Sequence, residues 1–191
     1  MSRTLVTLRE AHVGDASFLV GLWQDSIRQA GTPDQIADLE LVIKSAAESA
    51  EQRLLIAEYD GERAGAVFLR ATTFGPLNLE PTVQVFSPHV ADPFQRRGVG
   101  HALMEAAVTF AEDLGIAHVA SAAASGSRDG NRFLARLGLG PQAVFRLAPT
   151  ATVRGRLDAA RPAASRSRAS RSHLGQVLAA RRSMRRSQPA G

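Results

Sequence analysis

The sequence predicts a mixed α/β fold built on one central sheet, followed by a basic C-terminal extension. Segments that alternate apolar and polar residues are interleaved with segments of helical periodicity. The pair Asp60-Gly61 between two apolar runs is a hairpin signal. Further along, a strand, a glycine-rich loop, a helix and a strand follow one another. This order of elements is typical of a mixed sheet and not of a doubly wound one.

Composition limits the class of protein. The chain has 191 residues, enough for one domain and an appendage, and 45% of them are hydrophobic, enough for a packed core. No apolar run approaches the ~20 residues of a membrane span, and the N-terminus lacks the apolar segment of a signal peptide. Cysteine is absent, which excludes disulfides and thiol chemistry. We therefore expect a cytoplasmic protein that does not act at membranes.

The elements of the N-terminal half each have a local justification. Leu5–Arg9 alternates apolar and polar residues, as a strand does. Asp15 is positioned to cap a helix. The apolar face of that helix comprises Phe18, Leu19, Leu22 and Trp23. Apolar residues at helical spacing predict a second helix over Pro33–Gln52. Strands are predicted at Leu54–Tyr59 and Ala64–Leu69, on either side of the hairpin turn.

The C-terminal half continues the alternation. Thr82–Val90 is predicted to be a strand, and residues 100–114 carry apolar side chains at helical spacing. A strand at Ile116–Ala122 and a short helix at Arg128–Leu137 follow. Gln142–Leu147 is the last clear strand.

The glycine-rich loop is the most informative stretch of the chain. Its residues Gln95-Arg96-Arg97-Gly98-Val99-Gly100 fit the pattern Gln/Arg-x-x-Gly-x-Gly/Ala. A helix that begins here offers unpaired N–H groups and the positive end of its dipole to an anion. Gly98 and Gly100 lack a Cβ, so a pyrophosphate can approach the backbone closely. Arg96 and Arg97 add positive charge beside it.

Two other phosphate-binding motifs fit this loop less well. No Gly-Lys-Ser/Thr follows it, which excludes a P-loop, and Leu103 stands where the dinucleotide-binding fingerprint has its third glycine. The alternative for the six-residue pattern taken alone is a plain strand-to-helix turn. The helical periodicity and the strand that follow it favour the phosphate site.

The loop and the element order together resemble the acyl-CoA-dependent N-acetyltransferases of the GNAT superfamily, over about residues 3–148. "TLREAHVGDASFLVGLW" is similar to that family's first strand and helix, and "LLIAEYDGERAGAVFL" to its second and third strands. Val90 matches a valine of the family's fourth strand, whereas Asp92 replaces a proline. The resemblance implies a GNAT fold in which strands four and five splay apart around the pantothenate arm of acetyl-CoA. It also implies acetyl transfer to an amine.

The resemblance further implies which residues bind acetyl-CoA, the expected cosubstrate. They are main-chain groups at the end of strand four, the loop with the following helix N-terminus, and the start of the late helix. The set is His89, Val90, Gln95, Arg96, Arg97, Gly98, Val99, Gly100, His101, Ala102, Ser127, Asn131 and Phe133. No metal is expected.

The departures from the family concern catalysis. In relatives, a general base often projects from strand four at the positions held here by Gln84 and Phe86, and neither side chain can take a proton. The tyrosine that often protonates the leaving thiolate is replaced by Leu134. The chain therefore lacks both groups at their usual positions.

Two candidates for proton transfer are left. Glu80 precedes strand four and is a candidate acting through water, with an ordinary surface carboxylate as the alternative. His89 lies in the strand, where a structural histidine is the alternative. Strand alternation places it on the face opposite Gln84 and Phe86, unless Pro88 forces a bulge that changes the face.

Basic residues are concentrated near the C-terminus. Residues 150–191 hold ten arginines and one acid, a net charge of +9, whereas residues 1–149 carry a net charge of −4. We expect an acetyltransferase domain at 1–149 and an arginine-rich arm at 150–191. Thr150–Val153 is a weak strand candidate. A linker at 155–172 and a short basic helix at 173–186 are expected to follow.

Arginines clustered over residues 154–186 favour contact with the phosphates of nucleic acid or with an acidic protein partner. A solubilising tail is the third alternative. No aromatic side chain interleaves the arginines, so we expect no reading of base sequence.

Two functions are therefore open. The first is an N-acetyltransferase that uses acetyl-CoA and an amine of a small molecule, a protein or an aminoacyl group. The second is a catalytically weak or inactive CoA-binding domain tethered through its arm. The acceptor pocket is expected at residues 24–52 and 70–81, without an identified acceptor. Monomer and homodimer are both open.

Overall fold

The computed structural model describes residues 6–123 and 126–160, and the chain forms two units, residues 1–140 and residues 141–191. The elements of the first unit are β1 (Val6–Glu10), α1 (Ala16–Leu22), α2 (Thr32–Ala47), β2 (Gln52–Tyr59), β3 (Glu62–Thr73), β4 (Pro81–Val90), α3 (Val99–Asp113), β5 (His118–Ser121) and α4 (Arg128–Arg136). In the second unit the described residues form α5 (Thr150–Ala160). The order of elements confirms the mixed α/β prediction.

The strands of the described residues form one sheet in sequence order, β1-β2-β3-β4-β5. Neighbouring strands are antiparallel from β1 to β4, and β4 and β5 are parallel. The parallel pair is joined by α3, because two parallel strands need a crossover connection. The sheet is therefore mixed, as the sequence predicts.

Each face of the sheet carries its own core. On one face, Leu103 and Phe110 of α3 pack against strand side chains such as Val67. On the other face, Leu19 of α1 and Leu39 of α2 pack against a second strand set. We call these the α3 face and the α1/α2 face. Because strand side chains alternate between the two faces, the core partners of a strand residue identify the face on which it lies.

The predicted hairpin is confirmed. β2 and β3 are connected by Asp60 and Gly61, whose φ angles are +53° and +82°. Positive φ at both central residues of a two-residue turn matches the right-handed twist of the strands, and this explains the Asp-Gly pair.

Asp15 does not cap α1 as predicted. Its carboxylate is buried and accepts two bonds from the Arg9 guanidinium, at 2.7 and 2.9 Å, and one from the main-chain N–H of His12, at 3.0 Å. Arg9 also donates to Glu58 of β2, at 2.6 Å. Burial of Asp15 opposes its ionisation, but the Arg9 and His12 bonds prevail and lower its pKa from 3.8 to about 2. This network ties the start of α1 to the sheet.

Several element bounds differ from the sequence predictions. α2 ends at Ala47, and Gln52 already belongs to β2. The strand expected at Gln142–Leu147 is wrong, because this segment has no regular structure. Its apolar side chains Val144, Phe145 and Leu147 are exposed.

Thr150–Val153 is helical and not a strand, because it forms the first turn of α5. Residues 155–160 of the expected linker lie in the same helix. The rest of the linker and the expected helix at 173–186 lie outside the described residues. No helix within 6–123 or 126–160 is long and apolar enough to span a membrane.

Replacing Asp15 should test the buried ion pair. Asp15→Asn is expected to lower the free energy of unfolding at pH 7 by about 2 kcal/mol, because the lowered pKa stabilises the folded state at every pH above the unfolded value. As the pH falls from about 4 to about 2, the wild-type carboxylate becomes protonated and the difference should shrink. Urea denaturation across this range measures both effects.

Asp38→Asn is the matched control, since Asp38 also pairs with an arginine, Arg28, but at an exposed site. It should change the stability little. Equal losses for the two variants would contradict a special role for the Asp15 network.

Candidate functional site

A β-bulge interrupts β4 near its C-terminal end. Phe86 of β4 is opposite Phe68 of β3, but His89 is opposite Ala66, so β4 contains one residue more than β3 across this interval. The bulge coincides with Ser87, whose φ of +46° is rare for a residue other than glycine, and with Pro88. The bulge that Pro88 was expected to allow is therefore present.

Trp23 holds this bulge from the neighbouring helix. Its indole Nε1–H donates to the main-chain carbonyl of Ser87 at 2.9 Å, across 64 residues of sequence. The Trp23 side chain is buried in the α1/α2 core. The bond fixes the strained carbonyl and satisfies the indole N–H, which would be costly to bury unpaired.

The bulge changes the face on which His89 lies. Its cross-strand partner Ala66 belongs to the α1/α2 core, and directly paired residues share a face. Phe86 contacts Phe68 on that same face, with ring centroids 5.9 Å apart. The extra residue thus places exposed His89 on the face of Gln84 and Phe86, and the prediction of the opposite face from strict alternation is wrong.

Strands β4 and β5 separate as the family resemblance implies. Their pairing ends at Val85 and Ser121, while β4 continues to Val90. The N–H of Ala91 bonds to Ala64 of β3 at 2.8 Å. Because N–H groups alternate between the two sides of a strand, the main chain of Val90 points away from β3, into the gap left by β5. The gap therefore has free strand polar groups along one wall.

The glycine-rich loop leads from this gap into α3. Arg96 and Gly98 have φ angles of +61° and +87°, and Gly98 is the N-cap of the helix, with no side chain capping it. The first bond within the helix is from Ala102 N–H to Gly98 C=O, at 3.0 Å. The N–H groups of residues 99–101 precede that bond and have no role in the helix ladder. The loop is further braced by a bond from Gln95 to Asp92, at 2.8 Å.

The structure brings three of the predicted cofactor residues together. A Cβ added to Gly100 would lie 3.6 Å from Cγ2 of Val90 and 3.6 Å from Cζ of Phe133. Gly100 thus faces the space between the end of β4 and α4. Ser127 is the N-cap of α4 and accepts from Gly130 N–H at 3.2 Å, and the Asn131 amide donates to the Ser127 carbonyl at 2.7 Å.

Other predicted site residues lie further away or have structural contacts. The guanidinium of Arg97 lies over the ring of Tyr59, 5.2 Å from its centroid. Glu80 pairs with His118 of β5 at 3.6 Å, at the opposite end of β4 from the bulge. Seven residues at about 3.3 Å each separate Glu80 from Ser87, roughly 23 Å. Leu134 is buried in the α3 core.

Two cavities lie on opposite faces of the sheet. One, of about 940 Å³, lies between α3 and strands β1 and β2 and includes Arg97, Gly98 and His101. The other, of about 610 Å³, lies on the α1/α2 face. We call it the α1/α2 cavity, and it is lined by Trp23, Ser26, Ile27, Leu41, Val42, Ser45, Gln52, Phe68, Arg70, Phe86 and Ser87. Its wall therefore includes the bulge and residues of the region in which the sequence predicts an acceptor pocket.

These features define an acetyltransferase-type protein. Residues 19–139, more than half of the chain, match the sequence profile of the acetyltransferase (GNAT) family. The chain therefore belongs to this family.

Solved structures share the fold. A transcriptional regulator from Bacillus halodurans C-125 superposes with a TM-score of 0.63 and 18% identity, over 75% of this chain and 99% of the other. The aminoglycoside N-acetyltransferase AAC(6')-Iy in complex with CoA gives 0.62 and 17%, over 76% and 95%. A predicted acetyltransferase from Clostridium acetobutylicum with acetyl-CoA gives 0.58 and 14%, over 75% and 96%. No curated protein is significantly similar in sequence.

Sequence reasoning missed two residues of the site. Trp23 is predicted as a core residue, and the sequence carries no signal that its N–H reaches Ser87. Arg70 lies in an ordinary strand pattern, and only the register with Gln52 and Gln84 places it at the α1/α2 cavity. The one available clue for the bulge is the Ser87-Pro88 pair, since proline interrupts a strand ladder.

Removing the indole N–H should loosen the bulge. Trp23→Phe is expected to lower the free energy of unfolding by about 1–2 kcal/mol, because the Ser87 carbonyl loses its partner. It should also weaken CoA binding at least threefold, because the bulge positions the Val90 main chain. Leu39→Val, a change in the same core away from β4, should cost about 1 kcal/mol and leave CoA affinity unchanged. Calorimetric titration with CoA and urea denaturation measure both. Equal CoA affinity in the two variants would show that the bulge is not coupled to the gap.

Proposed function

We propose that the protein is an N-acetyltransferase that uses acetyl-CoA as the acetyl donor and a primary amine as the acceptor. The observation that carries this proposal is the separation of β4 from β5. β4 continues five residues beyond the last pair at Val85, up to the glycine-rich loop and the N-terminus of α3. An extended arm ending in a pyrophosphate matches this continuous path from strand edge to helix N-terminus.

Each predicted CoA residue has a role in this arrangement. The pyrophosphate would accept from the free N–H groups over residues 95–102, next to Arg96. The extended arm would pair with the main chain of Val90, since that residue directs its N–H and C=O into the gap. Phe133 would close the gap beside Gly100, with Ser127 and Asn131 at its outer end. Structural neighbours of this fold that contain CoA or acetyl-CoA support the choice of cosubstrate.

Acetyl transfer makes three demands on the protein. The amine must lose a proton, the thioester carbonyl must be polarised as nitrogen bonds to its carbon, and the departing sulfur must accept a proton. Pro88 has no N–H to offer, and His89 directs its N–H towards β3 by the same alternation that frees Val90. Val90 N–H is therefore our candidate for polarising the carbonyl.

His89 is our candidate for taking the proton of the amine. The bulge places its side chain on the face of the α1/α2 cavity, two residues from Ser87, which lines that cavity. Glu80 is disfavoured because it lies at the far end of β4, paired with His118. With Leu134 in the core, no tyrosine stands at the family's usual acid position, so we assign protonation of the thiolate to solvent.

The division into an acetyltransferase domain at 1–149 and a basic arm at 150–191 is retained as part of the proposal. The arm's charge favours a phosphate-bearing or acidic partner for residues 154–186, but most of that segment lies outside the described residues. The alternative function, a CoA-binding domain without turnover, differs from the first in the acetylation experiments below.

A charge in the gap should weaken CoA binding. Gly100→Asp is expected to raise the Kd for CoA at least tenfold, because its Cβ would point between Val90 and Phe133 and its carboxylate would meet an anionic ligand. Gly100→Asn is the matched control, with nearly the same shape and no charge, and should lose clearly less affinity. Calorimetric titration measures both. Unchanged affinity in Gly100→Asp would reject the assignment of the gap to CoA.

Substituting His89 should separate base catalysis from the acceptor's own ionisation. His89→Gln is expected to lower kcat/KM for acetyl transfer 10²–10⁴-fold if it acts as the base, with CoA affinity retained. Glu80→Gln should change kcat/KM less than threefold. The pH–rate profile of the His89 variant should follow the pKa of the acceptor amine. A profile and rate equal to wild type would show that deprotonation by solvent suffices.

A further inference from the structure

The α1/α2 cavity combines an apolar wall with a single charged side chain. Phe68 and Phe86 meet along one side, and Leu41 and Val42 are 66% and 36% exposed at its other side. Apolar side chains exposed together at a concave site mark a binding surface. The cavity's volume of about 610 Å³ is ample for a small aromatic or branched molecule.

Arg70 is the charged residue of this wall. It is exposed, lies on the α1/α2 face between Gln52 and Gln84, and forms no ion pair with any of the described residues. None of the residues that line the cavity is acidic. A guanidinium on a largely apolar surface without a carboxylate partner is suited to binding a carboxylate in two parallel hydrogen bonds.

The two ends of the cavity are a short distance apart. Arg70 is opposite Gln84, and Ser87 is three residues further along β4, roughly 10 Å at about 3.3 Å per residue. Since an arginine side chain spans much of that distance, its guanidinium can reach a carboxylate on a molecule whose amine lies at the bulge. A positive charge here also lowers the pKa of a nearby amine, which favours the neutral form that attacks a thioester.

From these observations we propose that the acceptor is a primary amine with an apolar body and a carboxylate, of the class of amino acids with aromatic or branched side chains. The inference rests on the proposed function and narrows its substrate. It opposes a polycationic acceptor, because such a molecule would meet Arg70 and find no carboxylate in the wall. The aminoglycoside named for one structural neighbour therefore does not fit this cavity.

The test compares four amines with acetyl-CoA and the full chain. L-Phenylalanine carries both features, 2-phenylethylamine lacks the carboxylate, glycine lacks the apolar body, and neamine is a polycation. We expect kcat/KM for L-phenylalanine to exceed that for each other amine at least tenfold. Arg70→Gln should remove the advantage of L-phenylalanine over 2-phenylethylamine by raising KM more than it lowers kcat. It should leave the rate with 2-phenylethylamine unchanged.

Arg53→Gln is the matched control, an arginine on the adjacent strand whose guanidinium lies over Phe110 on the opposite face. It should leave the preference intact. Acetylation of neamine or 2-phenylethylamine in preference to L-phenylalanine would overturn the acceptor inference while leaving the proposed function standing.

Direct binding gives a readout that does not depend on turnover. N-Acetyl-L-phenylalanine should bind the wild type by calorimetry and bind Arg70→Gln at least tenfold more weakly, with CoA affinity equal in both. If CoA binds but this probe does not bind the wild type, the acceptor inference is wrong. If the probe binds and CoA does not, the proposed function fails and the cavity assignment stands.

Discussion

The hydrogen bond from the Trp23 indole to the Ser87 carbonyl is the constraint on which the site depends. It connects the helix layer to the strand at the point where β4 carries one extra residue. A non-glycine residue at positive φ costs of order 1 kcal/mol or more, and it persists where surrounding contacts fix it. A buried indole that finds no other partner is such a contact. The bulge is therefore a built feature of the fold, and the side-chain directions of everything beyond it follow from it.

The bulge separates two functions along one strand. Before it, Phe86 contributes to the α1/α2 cavity, and beyond it, Val90 turns towards the α3 face and the gap. A regular strand would have placed Val90 on the other face, with His89 directed at the α3 core. The single inserted residue thus allows donor and acceptor to approach from different sides and meet at the same few main-chain groups. This is the geometry that direct transfer between two bound substrates needs.

Electrostatics distinguishes the two ends of the molecule's working surface. The phosphate end relies on main-chain N–H groups and a helix dipole, which cost little to leave exposed. The acceptor end relies on one arginine in an apolar wall. At the start of the sheet, the buried Asp15 is neutralised by Arg9, so that this charge pair anchors α1 near Trp23 without adding an acid to the cavity. Shared fold with an aminoglycoside N-acetyltransferase at 17% identity does not carry over to the acceptor, because acceptor chemistry belongs to the cavity wall and not to the sheet.

The sequence by itself determined the element order, the Asp60-Gly61 hairpin, the glycine-rich loop and the family, because each is encoded by local periodicity or by residues adjacent in the chain. It could not determine the face of His89, because that depends on a register shift set by Trp23, 64 residues from Ser87. It misassigned Asp15 as a helix cap for a similar reason, since the carboxylate's partner Arg9 approaches it through tertiary packing. At Gln142–Leu147 an alternating pattern alone did not produce a strand, because pairing requires a partner edge as well as propensity. Only the tertiary structure placed Arg70 among apolar side chains, because neighbours across a sheet are set by register and not by distance along the chain.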